Sequence, residues 1–236
     1  MKNSRLGRIL SLSIVLALSP LTVALGAILL AGRRYALISI LVALLSCLPF
    51  FIRFERGRST ARELIVVAVM SALSVTGRIL FAPVPGFKPV TALTVISGLS
   101  LGAEAGFLVG SVSAIVSNLF YGQGPWTPFQ MLVWGLIGFL AGLLLRRRPF
   151  TGRIPLLVFG ALAGVLYSLV MDLWTVLSLG EGFSTPRYLA AVGVSLPFLL
   201  TYAASNVLFL LLLAPTLTEK LQRLKRKFGL FDSRTE

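Results

Sequence analysis

Hydrophobic residues fall in long, nearly unbroken runs along this chain, with charged residues gathered in the gaps. The runs are Ile9–Ala31, Tyr35–Ile52, Leu64–Ala82, Val90–Phe120, Gln130–Leu145, Ile154–Leu177 and Tyr188–Pro215. A helix that crosses a bilayer needs about 20 mainly apolar residues, so most of these runs predict one crossing each. Val90–Phe120 is the ambiguous one. As a single helix it would rise about 46 Å, against a hydrocarbon core of about 30 Å, yet it is short for two full spans. A turn near Gly102-Ala103-Glu104-Ala105 would fold it into a pair.

Charge parity decides between one pass and two. With two passes and a cytoplasmic N-terminus, the inside segments hold Lys2, Arg5 and Arg8; Arg53, Arg56, Arg58 and Arg62; Arg146, Arg147, Arg148 and Arg153; and Lys220, Arg223, Lys225, Arg226, Lys227 and Arg234. Only Arg33, Arg34, Lys88 and Arg187 fall outside, and Arg78 lies within a span. A single pass would move Arg146–Arg148 and the basic C-terminal segment outside, against the positive-inside rule. The expectation is eight helices with both termini cytoplasmic, an all-α integral membrane protein without a soluble domain.

Composition agrees. The 236 residues are 56% hydrophobic and 13% charged, with a mean hydropathy of +0.91, where soluble domains are about a quarter charged. The net charge of +14, from 22 Lys+Arg and 8 Asp+Glu, therefore reads as a topology signal and not as a nucleic-acid-binding surface. Lys2, Arg5 and Arg8 ahead of an apolar run resemble a signal peptide. The length of that run, its end at Arg33-Arg34 and the second run that follows at once favour a retained helix. The basic segment Lys220–Lys227 is either a solvated anchor or a binder of anionic lipid. No internal repeat is evident.

The chain has no histidine and a single cysteine, Cys47. Histidine-ligated zinc sites, Ser–His and Cys–His hydrolases and internal disulfides are excluded. Paired intramembrane carboxylates are also missing, so no catalytic residue, metal site or cofactor is expected.

The informative residues are those costly to place in a bilayer. Arg78 and Asp172 carry opposite charge at similar predicted depth, about 6 and 9 Å below the outer helix ends. They are expected to pair or to face one outward-opening cavity; alternatively Arg78 snorkels to lipid headgroups and Asp172 is a packing residue. Asn118, Asn206 and Tyr202 are uncharged candidates for the same cavity or for helix–helix hydrogen bonds. The segment Tyr121-Gly-Gln-Gly-Pro-Trp-Thr-Pro-Phe-Gln130 joins flexible glycines, rigid prolines, flat rings and amide donors. That mixture suits a lid over a small molecule, or else an interfacial aromatic belt. Two more Pro/Gly-rich loops, Pro83–Pro89 and Ser178–Arg187, fall on the same predicted side. Gly98, Gly102, Gly106 and Gly110, the pairs Gly138/Gly142 and Gly160/Gly164, and Ala68/Ala72 repeat at four-residue spacing, chiefly a packing signal.

Taken in order, several of these features resemble the substrate-binding S component of an energy-coupling factor (ECF) vitamin transporter. A basic stretch leads into Ala61-Arg-Glu-Leu and AxxxA at Ala68 and Ala72. Phe87-Lys-Pro-Val-Thr-Ala-Leu, the Gly-rich pair, Gln123-Gly-Pro-Trp-Thr-Pro-Phe-Gln-Met131 and Trp134-Gly-Leu-Ile-Gly-Phe-Leu-Ala-Gly142 follow. The resemblance implies a six-helix core over residues 61–228, preceded by an additional two-helix hairpin over 1–60 and followed by a cytoplasmic tail over 229–236. It implies a non-enzymatic subunit of a prokaryotic plasma-membrane importer that binds a vitamin or related micronutrient from outside. Candidate ligand-binding residues are Arg78, Lys88, Asn118, Tyr121, Trp126, Thr127, Gln130 and Asp172. Ala68 and Ala72 would dock on a transmembrane coupling subunit, with two cytoplasmic ATPases supplying energy; the chain itself has no GxxxxGKS or GxxxxGKT phosphate loop. The Gln-Gly-Pro-Trp-Thr-Pro-Phe-Gln segment resembles cobalamin-linked members most. The few cations expected near the outer cavity argue against a strongly anionic substrate. The competing reading is a stand-alone secondary transporter, with Asp172 as its only buried carboxylate for ion coupling.

Overall fold

The computed structural model describes residues 60–146, 152–179 and 183–231, together with Leu41, Leu45 and Leu48. The N-terminal hairpin, Cys47, Arg147, Arg148, the Gly180-Glu181-Gly182 segment and the last residues of the tail lie outside the described residues. Six helices make up the described chain: α1 (Ala61–Leu80), α2 (Val90–Leu101), α3 (Ala103–Tyr121), α4 (Thr127–Leu144), α5 (Arg153–Ser178) and α6 (Thr185–Phe228). There is no strand among these residues. Five helices are long and apolar enough to cross a membrane, and the chain is an all-α integral membrane protein.

α1 starts where Thr60 and Glu63 form a capping box: Glu63 N–H donates to Thr60 Oγ1 at 3.2 Å, and Thr60 N–H donates to Glu63 Oε2 at 2.8 Å. These bonds satisfy donors that a helix start otherwise leaves open.

α2 is the hub. It packs against all five other helices, and every residue but Leu99 is buried, as expected for a helix apolar on all sides. It holds only 12 residues, a rise of about 18 Å, so it falls short of a full span. The two-pass fold of Val90–Phe120 is therefore a half-span followed by a full one, reversing at a single residue. That residue is Gly102, whose φ of 117° is closed to ordinary L side chains.

The missing depth is made up by the irregular segment 81–89. Irregular backbone beside a membrane span needs partners within the protein. The Ser205 hydroxyl supplies them, accepting from Lys88 N–H at 2.9 Å and lying 3.2 Å from the Lys88 carbonyl as donor.

The glycine series lies where α2, α3 and α4 touch backbone to backbone. A Cβ on Gly106 would overlap the Gly138 carbonyl oxygen and sit 2.6 Å from the Gly98 Cα. The spacing repeats on both sides of the turn because α2 and α3 close on the same stretch of α4.

α6 is 44 residues long with Pro197 and Pro215 inside it, a length of about 66 Å. Its polar end runs on past the apolar part and caps at Gly229 in the left-handed region. There it meets the start of α1: Phe231 N–H donates to Glu63 Oε1 at 2.5 Å, and the Arg62 guanidinium lies over the Phe228 ring at 5.4 Å. The segments 81–89 and 122–126, the end of α5 and the start of α6 lie at the other end of the bundle, the loop end.

Candidate functional site

The loop end of the bundle is built around Arg78, in the last turn of α1 and 7% exposed. Its Nη1 donates to Ser117 Oγ and, at 2.9 Å, to Asn118 Oδ1 on α3. Asn118 Nδ2 in turn donates to Thr127 Oγ1 and to Gln130 Oε1, both at 2.8 Å, at the start of α4. Thr127 donates to Gln123 Oε1 at 3.0 Å, and Gln123 Nε2 donates to the Ile115 carbonyl at 2.8 Å. Gln130 Nε2 reaches the Tyr167 hydroxyl on α5 at 3.2 Å. Tyr121 Oη closes the circuit by donating to the Arg78 carbonyl at 2.8 Å. One cation thus ties α1 to α3, α3 to α4 and its preceding loop, and α4 to α5. A network so interlinked is stiff, because breaking one link strands several buried groups.

Aromatic rings pack around the same cation. The guanidinium carbon lies 4.7 Å from the Tyr121 ring centre and 5.2 Å from that of Trp134. Trp134 stacks on Tyr167 at 5.1 Å with an 11° interplanar angle, and Tyr202 meets Tyr167 edge-on at 5.0 Å. Lys88 Nζ, on the loop before α2, lies 5.4 Å from the Tyr121 ring centre, within cation–π range. Burial pulls the Lys88 ammonium below the ordinary lysine range, and the charge of Arg78 pulls it down further.

Arg78, Lys88, Trp134, Tyr167, Tyr202 and Asn206 line a cavity with the first turn of α2. It measures about 30 Å³, room for about two water molecules. Two buried nitrogens on residues that line it, Arg78 Nε and Trp134 Nε1, have no hydrogen-bond partner among the described residues.

The residues singled out from sequence separate into distinct places. Arg78 and Lys88 line the cavity. Tyr121 covers both cations from its half-exposed position. Asn118, Thr127 and Gln130 stand behind Arg78 and hold it. Asn206 lines the cavity and also donates to the Gly160 carbonyl at 3.0 Å, so it serves helix packing as well.

Two expectations need correction. Arg78 and Asp172 do not pair: Asp172 Oδ2 instead accepts from the Ser195 hydroxyl at 2.6 Å, and Asp172 is absent from the cavity lining. Depth along a helix says nothing about direction around it. Asp172 is five residues past the cavity-lining Tyr167, a rotation of about 140°, which turns it toward α6. Trp126 also lies off the cavity, exposed at the loop surface, with its ring over Gly124.

Sequence reasoning misses Trp134 and Tyr167 as cavity residues. The signal available for them is the depth of a tryptophan and a tyrosine well inside apolar runs, away from the interfacial belts where such rings concentrate. Ala68 and Ala72 lie on the outward face of α1, among exposed Ile65, Val69 and Leu73.

These features define a polytopic helical membrane protein with a cation-bearing, aromatic-walled cavity at one end. Residues 58–223 match the family model of the ECF-type riboflavin transporter S component, and the chain belongs to that family. Among curated proteins it is similar to a UPF0397 protein of Vibrio atlanticus (strain LGP32), 31% identical over 118 residues, covering 44% of this chain and 64% of the relative. It is likewise similar to a UPF0397 protein of Aliivibrio salmonicida (strain LFI1238), 32% identical over 101 residues, covering 39% of this chain and 55% of the relative. The chain thus spans less than two thirds of the length of either relative. No solved structure matches it.

Proposed function

We propose that this chain is the membrane-embedded specificity subunit of an ECF-type importer in a prokaryotic plasma membrane. It takes a vitamin or related micronutrient at its loop end, which faces outside, while both termini face the cytoplasm. A transmembrane coupling subunit docks on the Ala68/Ala72 face, and two cytoplasmic ATPases drive release inside. The observation that carries the reading is the Arg78-centred cavity: a buried cation and four aromatic rings converge under the loops of a bundle that is otherwise packed with apolar side chains. Small-molecule sites of this sort combine apolar and aromatic walls with a few placed polar groups.

A vitamin-sized ligand needs a cavity of about 300 Å³ or more. Binding therefore requires the 81–89 and 122–126 loops to part from the bundle. Cobalamin is the first candidate ligand, on the Gln123–Gln130 segment, and riboflavin the second, on the name of the matching family. Asp172, the carboxylate that an ion-coupled secondary transporter would need, is bonded to Ser195 away from the cavity. The deciding experiment is mass spectrometry of small molecules co-purified with the solubilised chain, followed by uptake of the identified compound into vesicles. ATP-dependent uptake that needs the coupling subunit and ATPases is the expected result. Uptake by the chain alone, driven by an ion gradient, would replace this reading with the secondary transporter.

A further inference from the structure

The cavity is lined by two cations and by no acidic residue. Arg78 and Trp134, 7% and 4% exposed, line it, and each has a buried nitrogen with no partner among the described residues: Arg78 Nε and Trp134 Nε1. Leaving such donors unmet in a buried site is costly, and most so for a charged group. Lys88 Nζ, half-buried on the same wall, has the Tyr121 ring as its neighbour and no carboxylate bonded to it among the described residues. No acidic residue is among those that line the cavity, and the buried carboxylate of Asp172 is held by Ser195. Arg78 cannot turn away, because Ser117 and Asn118 hold one end of the guanidinium while Tyr121 and Trp134 flank it.

We infer that the transported ligand carries an anionic oxygen group, a phosphodiester, phosphate or carboxylate, which seats against Arg78, Lys88 and Trp134. The inference rests on the specificity-subunit reading and names the chemistry of its substrate. It reverses the expectation drawn from the small number of cations near the cavity. Two cations that converge on one small, carboxylate-free space outweigh a low count spread along the chain. The cavity, with room for about two waters, matches the size of the anionic group. The larger body of the ligand then lies toward the loops, against Tyr121 and Tyr202. Charge-assisted bonds from a fixed guanidinium and an ammonium select an anion over a neutral isostere.

The test uses the purified full-length chain in lipid nanodiscs and three matched probe pairs. Cobalamin, which carries a phosphodiester, is compared with cobinamide, which lacks it. Flavin mononucleotide is compared with riboflavin, and biotin with biotinamide. Dissociation constants are measured by calorimetry. The expected result is that the anionic member of at least one pair binds about tenfold tighter or more. Lys88→Gln and Arg78→Gln should each erase most of that ratio. Arg78→Gln also breaks the bonds to Ser117 and Asn118 and risks misfolding. The Lys88 ammonium meets the Tyr121 ring and no hydrogen-bond acceptor among the described residues, so Lys88→Gln carries the decision, with size-exclusion behaviour as the check on folding. Equal binding within every pair, tighter binding of the neutral member, or an anion preference that survives Lys88→Gln would overturn the inference and leave the specificity-subunit reading intact. If no member of any pair binds, the compound co-purified with the chain takes their place, and a co-purified compound without an anionic oxygen group overturns the inference while leaving the specificity-subunit reading intact.

Discussion

The α2–α4 group and the α5–α6 pair differ in how much of their packing is backbone on backbone. In the first, glycines bring backbones into contact: Gly98 and Gly106 against Gly138, and Gly110 against Trp134 and Gly135. Asn118 at the end of α3 also anchors the hydrogen-bond network that fixes Arg78. In the second, Gly164 meets backbone, that of Tyr202 and Ala203 on α6, while Gly160 faces the tip of the Leu210 side chain. The polar contacts of α5 and α6 are separate pairs: Asp172 with Ser195, Asn206 with the Gly160 carbonyl and the Tyr188 hydroxyl with the Leu169 carbonyl. Leu189, Val194, Leu200 and Leu212 of α6 are exposed, as lipid-facing residues are. The first group is a stiff frame in which a local change spreads. The second is a wall with one such seam, at Gly164, and side-chain contacts elsewhere, as at Gly160; the cavity lies between the two groups.

The largest expected effect concerns the outer face of the frame. Ala68→Leu with Ala72→Leu should abolish docking of the coupling subunit and transport, while ligand affinity and thermal stability stay unchanged, because both alanines are exposed. Co-purification and vesicle uptake would measure this; normal docking by the double variant would show that the partner binds elsewhere. Next come two glycines that contrast frame with wall. Gly138→Ala drives a Cβ into the Gly106 carbonyl oxygen, which only helix separation relieves, and should cost about 3 kcal/mol. Gly160→Ala meets Leu210 Cδ1, a flexible tip that moves aside, and should cost less than about 1 kcal/mol. Unfolding in mild detergent compares them, and equal losses would erase the distinction between a backbone contact and a side-chain contact at these two positions.

Smaller again is the contrast between the polar centres. Asn118→Ala strands Arg78, Thr127 and Gln130 and should cost about 2 kcal/mol, with a parallel loss of ligand affinity. Asp172→Asn keeps an oxygen for Ser195 and should stay within about 1 kcal/mol with affinity unchanged. A large affinity loss in Asp172→Asn would bring that carboxylate back into the site. The smallest effect is on pH dependence. The Lys88 ammonium is pulled below the ordinary lysine range, so its charge is present at lower pH and is lost as pH rises. Affinity for an anionic ligand should therefore fall at a lower pH than the ordinary lysine value of about 10.4, and Lys88→Arg should remove that fall. An unchanged profile in Lys88→Arg would assign the titration to another group.

Much of this architecture is legible in the sequence. Apolar runs of membrane-spanning length mark helices because the bilayer leaves the backbone no other way to satisfy its polar groups. The turn within Val90–Phe120 can be read from its excess length and from the sidedness of the basic residues. The family resemblance is carried by short motifs whose order is linear. Arg78 and Lys88 stand out because ionisable groups near an apolar run are conspicuous. Trp134 and Tyr167 do not, because a ring in an apolar run looks the same whether it faces lipid, core or cavity.

What the sequence alone determined is therefore the number and order of the core helices, the residues that belong at membrane depth and the family. These follow from composition along one dimension and from the thickness of the bilayer. Only the tertiary structure decided which polar residues meet. Asp172 and Arg78 share a depth but not a direction, since five residues along α5 turn a side chain through about 140°. The half-span of α2, the descent of Lys88 to the cavity wall and the stack of Trp134 on Tyr167 depend on how closely glycine lets three backbones approach. That distance is a property of facing surfaces and is written in no single segment of the chain.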